Sequence, residues 1–194
     1  MTLTCRGWIA AILLGLPVWA ASPSTPGINN FYQIDCQVYR GAQPTPDGFR
    51  YLGSIGVKLV LDLREHDARA VSEERMVTAA GMHYVNVPMT GMTPPTGPQI
   101  AQILALLEDS SAGPVFVHCK RGADRTGAVI AAYRIDHDKW DNARALSEAM
   151  ADHMSHFQFQ RQAYIRSFHA RTADVAPEAR PAVSASAETP GARN

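Results

Sequence analysis

From Gly56 onward the chain alternates compact apolar runs with stretches of helical spacing. Val57 to Leu63 (VKLVLDL) is short and apolar, fit for a buried strand. Ala68 to Ala80 carries helical spacing and stops at Gly81. His83 to Val87 reads as a strand ended by Pro88. Gly97-Pro98 opens a helix whose apolar stripe is Ile100, Ile103, Leu104 and Leu107. Val115-Phe116-Val117 is the next strand, bounded by Gly113-Pro114, and helices are predicted over Thr126–His137, Asp141–Met150 and His156–His169. Upstream, Phe31 to Tyr39 reads as one extended strand. Thr45 is placed as an N-cap with Pro46 in the first helical position, opening a helix through Leu52 that Gly53 to Gly56 closes. This alternation predicts an α/β sandwich with a central, mostly parallel sheet flanked by helices. Ligands bind such sheets beyond the carboxyl ends of the strands, which directs attention to the segment after Val117.

The ends differ from the middle. Arg6 followed by the apolar run Trp8–Trp19 has the form of a secretory signal, too short to span a bilayer comfortably. Small residues around the junction place cleavage between Ala20 and Ala21, and an uncleaved membrane anchor is the alternative. Residues 1–20 are thus expected to be a signal peptide, 21–28 a spacer, 29–171 one domain, and 172–194, rich in Ala, Pro and Ser, a disordered tail. With 194 residues there is room for one ordinary domain. Lys plus Arg equals Asp plus Glu at 18 each, so no global positive field favours nucleic acid, and none is expected as a partner. A local positive pocket is still open to an acidic substrate. Cleavage would leave two cysteines, Cys36 and Cys119, too few for a disulfide framework. A monomer is expected.

The segment after Val117 reads His118-Cys119-Lys120-Arg121-Gly122-Ala123-Asp124-Arg125-Thr126-Gly127. It leaves a buried strand, turns tightly and enters an apolar helix. An ordinary thiol has a pKa of about 8.5 and is mostly protonated at neutral pH. Loop amides converging on a helix N-terminus lower that value and also cradle a dianion. Arg125 can fold back over the loop and match two phosphate oxygens with its planar fork. Gly122 lets the amides point inward with no side chain in the way. Thr126 brings a hydroxyl near the sulfur. The phosphate-binding set is therefore Lys120, Arg121, Gly122, Ala123, Asp124 and Arg125 around Cys119.

These residues resemble the Cys-x5-Arg-Thr/Ser signature of the cysteine-dependent phosphatases, in the fuller form His-Cys-x-x-Gly-x-x-Arg-Thr-Gly. The stretch Val38-Tyr39-Arg40-Gly41-Ala42-Gln43-Pro44, a helix, and then Gly56 to Arg64 is similar to the N-terminal half of the compact dual-specificity-like phosphatases of bacteria and plants. The resemblance implies a phosphomonoester hydrolase of the tyrosine or dual-specificity type, working through a phosphocysteine with no metal or other cofactor. It implies Cys119 as nucleophile, Arg125 as phosphate ligand, Thr126 as stabiliser of the thiolate, His118 as an organiser of the loop, and structural roles for Arg40 and Arg64. Rhodanese-type sulfurtransferases have a loop one residue shorter, which the Cys119–Arg125 spacing disfavours.

One departure stands out. The resemblance implies, as in most of this superfamily, a leaving group protonated by an Asp on a separate loop about thirty residues before the cysteine, yet Val87 to Thr96 contains no Asp, Glu or His. Asp124 resembles the Asp of the Asp-Arg-Thr loop ending in myotubularin-like and Sac-like lipid phosphatases, and is the expected replacement. Its alternative role is to pair with Arg121 or Lys120 and shape the loop. Asp62, at a strand end, is an outside candidate. Lys120 and Arg121 suit a phosphorylated protein or a phosphoinositide, although Ala123 stands where the lipid-type loops carry a lysine. The different-class alternative is a catalytically weak phosphate-binding pseudophosphatase. His153 and His156 have no third ligand at metal spacing. Phe157, Phe159, Tyr164 and Phe168 are expected to form the apolar face of the final helix. Met89 and Met92 lie in the loop opposite the active loop, and a pocket-lining role for them is an open alternative rather than the expectation.

Overall fold

The computed structural model describes residues 25–171. The expected signal peptide and the expected tail lie outside them. The elements are β1 (Tyr32–Gln33), β2 (Val38–Ala42), α1 (Pro46–Ser54), β3 (Leu59–Asp62), α2 (Ala68–Ala79), β4 (His83–Asn86), α3 (Gly97–Glu108), β5 (Val115–Cys119), α4 (Asp124–Asp136), α5 (Asn142–Ala151) and α6 (Phe159–Ser167). The sheet order is β1-β2-β5-β3-β4. Four strands run parallel, and β1 alone is antiparallel to its neighbour β2. This is the α/β sandwich that the alternation predicts.

The central strands β3 and β5 are buried along their whole length, and their residues alternate between two cores. Leu59 and Leu61 of β3, with Val115 and Val117 of β5, pack on one side against Ile103, Leu104 and Leu107 of α3 and Val129 and Tyr133 of α4. Val60 and Phe116 face the other side, against Phe49 and Leu52 of α1 and Val77 of α2. Ala128 and Ala131 of α4 meet Ala145 and Ala149 of α5, Met154 and Ile165 of α6 in a third cluster. Helix α4 is therefore buried on nearly every side. Register completes the picture. Ala42 pairs with Cys119, and Asp62 with both His118 and Asn86, so the carboxyl edge of the sheet gathers these residues in one row.

Helix starts follow local chemistry. The hydroxyl of Thr45 accepts from the Gly48 amide, Asp67 caps α2, Thr96 and Gln99 form a reciprocal capping box on α3, and Asp141 caps α5.

Several expectations are corrected. The opening strand predicted over Phe31–Tyr39 is a hairpin, because the Asp35 carboxylate accepts from the Gln37 and Val38 amides at 2.7 and 2.8 Å and turns the chain. The domain begins before Asn29: the Gly27 carbonyl receives the Thr45 amide at 2.9 Å, and Ile28 is buried beside Phe49. Helix α6 starts at Phe159 rather than His156. Phe157 and Phe159 do not cover the sheet; they are 74% and 68% exposed, whereas Tyr164 and Phe168 pack as expected. Met89 is a core residue and Met92 is exposed.

Cys36 sits in the hairpin turn, at the opposite end of the sheet from Cys119. It precedes Val38, which pairs with Val115 at the start of β5. Four strand residues, about 13 Å, separate that level from Cys119, and a disulfide needs Cα atoms within about 7 Å. Non-reducing peptide mapping of the oxidised protein is expected to yield no peptide linking Cys36 to Cys119 within one chain. Finding it would require a rearranged β2–β5 pair.

Candidate active site

Cys119 is the last residue of β5, and the loop after it runs directly into α4. Unlike α1, α2, α3 and α5, α4 has no side-chain cap: Ala123 stands at its N-cap and leaves the first amides uncapped. Such free donors, with the dipole behind them, form an anion site. Gly122 makes the turn possible. Its φ is +67°, and a Cβ there would lie 2.3 Å from the Gly41 carbonyl carbon and 2.4 Å from the Ala42 nitrogen. Its carbonyl faces away from the bowl, accepting from Asn30 Nδ2 at 3.0 Å and Arg40 Nη2 at 2.5 Å. Arg40 is wholly buried and is fixed in turn by Asp152 at 2.6 Å. The structural role expected of Arg40 is thus to hold the loop from behind.

Cys119 is 2% exposed. Burial by itself pushes its thiol pKa up. That effect is outweighed by the Thr126 hydroxyl and amide, the Arg125 charge and the Arg121 amide, so the net shift is down. The Thr126 hydroxyl is buried and makes no hydrogen bond of ordinary geometry in the resting state, so its partner is the sulfur once the sulfur carries charge. Arg125 donates through Nη1 to the carbonyls of Leu63 at 3.4 Å and Met89 at 3.3 Å, both long contacts that an arriving anion can replace. Cys119, Lys120, Arg121, Asp124 and Arg125 line one pocket of about 180 Å³. Gly91, Gln158 and Arg161 complete its wall. A larger open groove between α5 and α6, about 550 Å³, has Arg166 as the sole charged residue in its lining.

Asp124 reaches the pocket, but both its oxygens are engaged. One pairs with Arg121, and the other accepts the Ser155 amide at 2.9 Å. This is the loop-shaping alternative foreseen for it, present in the resting state. Asp62 is corrected as a candidate acid. It is fully buried, bound by Arg64 at 2.6 Å and by the Tyr84 hydroxyl at 2.8 Å, and absent from the pocket lining. Burial works against its charge, but the Arg64 hydrogen bonds and the His118 charge outweigh this and lower its pKa. Met89 contributes only its carbonyl to the site.

Two groups of residues escaped the sequence reading. Behind the loop, His118 Nε2 lies 2.7 Å from Glu73 Oε1, and Glu73 also pairs with Arg64. Burial disfavours a charged imidazole there, yet Glu73 and Asp62 prevail and raise the His118 pKa. His118, Glu73 and Asp62 are the one cluster of metal-ligand type among the described residues, and its carboxylates are already occupied by Arg64 and Tyr84. Glu73 had no signal beyond being a charge in a helix of modest polarity contrast. The second group is Gln158 and Arg161 at the last helix, which the aromatic residues around them obscured.

The family model described as DSP-PTPase phosphatase fused to NAD+ kinase matches residues 17–167. The dual specificity protein phosphatase TpbA of Pseudomonas aeruginosa strain UCBPP-PA14 is 31% identical over 154 residues, 72% of this chain and 66% of that one. Its counterpart in strain PAO1 is 32% identical over 165 residues, 82% of this chain and 68% of that one. The chain thus spans about two thirds of the length of these curated relatives. The crystal structure of P. aeruginosa TpbA superposes with a TM-score of 0.61 at 27% identity, over 75% of this chain and 92% of that one. A variant of TpbA solved in complex with phosphotyrosine gives 0.62 at 24% identity, with the same coverage.

Two outcomes follow from the loop geometry. Gly122→Ala is expected to destabilise the fold by about 1–3 kcal/mol, since both the positive φ and the Gly41–Ala42 backbone oppose a Cβ; urea unfolding measures it. Alkylation of Cys119 by iodoacetamide, followed by peptide mass spectrometry, is expected to have its pH midpoint below the ordinary thiol value of about 8.5, and Thr126→Val to raise that midpoint. A midpoint at or above the ordinary value in the unaltered protein would contradict the thiolate.

Proposed function

This chain belongs to the DSP-PTPase family of cysteine phosphatases, and we propose that it hydrolyses phosphomonoesters, phosphotyrosine among them, with Cys119 as the nucleophile. The observation that carries this reading is a buried thiol with a depressed pKa at the floor of an uncapped helix N-terminus, with Arg125 beside it. The Cys119 thiolate attacks phosphorus. The amides from Lys120 to Arg125 and the Arg125 fork take the non-bridging oxygens, the bond to the ester oxygen breaks, and that oxygen leaves with a proton. Asp124 is the proposed donor; it must first take up a proton and leave Arg121, to which it is bound at rest. Water then attacks phosphorus and gives its proton to the Asp124 carboxylate; the P–S bond breaks, releasing inorganic phosphate and the thiolate, which Thr126 stabilises. No metal enters these steps. The named activity of TpbA and its structure with phosphotyrosine support the choice of substrate.

The rival reading is a phosphate-binding pseudophosphatase. It draws on the acid-free stretch from Val87 to Thr96 and on the engagement of Asp124. The joint presence of Cys119, Arg125 and Thr126 argues against it, because binding alone needs no thiol. For location, we propose export after cleavage between Ala20 and Ala21.

Cys119→Ser is expected to lower turnover of p-nitrophenyl phosphate by about 1,000-fold or more, roughly 4 kcal/mol of barrier, with the melting temperature preserved. A loss of less than tenfold would eliminate thiolate attack. Asp124→Asn is expected to slow phenyl phosphate up to about 100-fold while p-nitrophenyl phosphate, whose leaving group needs little protonation, changes far less. Equal losses on both would leave Asp124 a loop-shaping role only. Intact-mass analysis of protein exported by the producing cell is expected to begin at Ala21; a mass retaining residues 1–20 would favour the anchor.

A further inference from the structure

Three arginines are buried among the described residues: Arg40, Arg64 and Arg161. Arg40 faces Asp152, and Arg64 faces Asp62 and Glu73. Arg161 has no carboxylate partner among the described residues. It is 1% exposed, its Nη2 donates to the Gly91 carbonyl at 2.8 Å, its Nη1 to Gln158 Oε1, and its Nε has no acceptor. A buried cation held only by neutral acceptors is costly unless an anion arrives to meet it. In the described residues the same arrangement recurs at Arg125, which also donates to carbonyls and also lines the pocket. The two arginines hold the stretch from Met89 to Gly91 between them, one carbonyl each. Burial and the neighbouring Arg125 work against the Arg161 charge, while Asp124 and Cys119 favour it.

Charge balance identifies the anion. Lys120, Arg121, Arg125 and Arg161 line the pocket with Asp124 and Cys119. In the resting arrangement, with Asp124 paired to Arg121 and the thiolate formed, four cations face two anions, leaving two positive charges. A phosphomonoester near neutral pH carries close to two negative charges. Without Arg161 the pocket would fall one charge short.

We infer that Arg161 is a second guanidinium for the bound phosphoryl dianion, contributing its charge from α6 while Arg125 contributes from the first turn of α4. This rests on the loop being a phosphate site, and it adds a residue outside the Cys119–Arg125 segment to that site. The bonds to Gly91 and Gln158 fix the side chain, so the charge is in place before the ligand arrives and little ordering remains to be done on binding.

The test separates charge from tethering. Calorimetry measures binding of inorganic phosphate to the full chain, under reductant, for the unaltered protein, Arg161→Gln and Arg161→Lys. Gln carries no charge, and its amide ends two bonds short of Nη2 and so gives up the Gly91 bond as well; Lys keeps the charge and loses the fork. Arg161→Gln is expected to weaken phosphate binding by about tenfold or more, and Arg161→Lys by less than about threefold. Undiminished binding in the Gln variant, or equal loss in both variants, overturns the inference, since a tether alone would then account for Arg161. Should a variant fail to fold, the unaltered protein decides: the Arg161 Nε–H resonance must move when phosphate saturates the pocket, and a static resonance overturns the inference. None of these readouts requires turnover. Selective loss of phosphate binding in a protein that hydrolyses no phosphomonoester would remove the hydrolase reading and leave this one standing. If the unaltered protein binds no phosphate, the inference falls.

Discussion

An anion can be kept beneath a protein surface only where fixed positive potential replaces the water it has lost. Cys119 is such an anion in waiting, and much of the carboxyl edge of the sheet is arranged around it. Helix α4 leaves its N-terminus without a side-chain cap, where α1, α2, α3 and α5 each supply one. Supplying the loop amides requires a left-handed residue at 122 and the close approach of the loop to β2, which only glycine permits. That approach is secured by turning the Gly122 carbonyl outward onto Asn30 and Arg40. One electrostatic requirement thus reaches back through the loop to the N-terminal hairpin and to Asp152 after α5.

The same requirement accounts for the buried polar network behind the loop. His118 cannot be solvated, being wholly buried, yet it lies immediately before the nucleophile candidate and must not drift. Glu73 from α2, Asp62 from β3, Arg64 and Tyr84 from β4 hold it in a chain of ion pairs and hydrogen bonds. Removing one member would strand the others without partners, at a cost well above the net worth of the pair itself. The network therefore ties two strands and a helix to one orientation of the loop, and it does so without any member entering the pocket.

How much of this the sequence discloses depends on whether the determining contact is local. The strands and helices were legible because apolar periodicity and caps are local: Thr45-Pro46, Thr96 with Gln99, and the stripe from Ile100 to Leu107 all behave as their spacing implies. The loop from Cys119 to Thr126 was legible for the same reason, since its chemistry is contiguous. The hairpin was missed because a single carboxylate, Asp35, redirects an otherwise strand-like run. Glu73 and Arg161 were missed because their meaning comes from residues 45 and 42 positions away, His118 and Cys119, which only the fold brings near. Phe157 and Phe159 misled for a related reason. Their spacing suits a core face, but the buried positions of α6 are Arg161, Gln162 and Ile165, so Arg161 turns toward the pocket while Phe157 and Phe159 face solvent and Tyr164 packs on the core.

That arrangement is informative about the stretch from Met89 to Gly91. Where the family resemblance implies an acid on a separate loop, this chain has a backbone segment whose carbonyls are held by two pocket arginines. A carboxylate inserted there would face Arg125 and Arg161 at rest and would be drawn into an ion pair with them, competing with the substrate for the same charges. Neutral carbonyls make weaker claims on the guanidinium groups and release them at less cost. The lack of an acid between Val87 and Thr96 is thus physically consistent with the presence of Arg161: a second fixed cation in the wall favours a loop that contributes dipoles rather than charge.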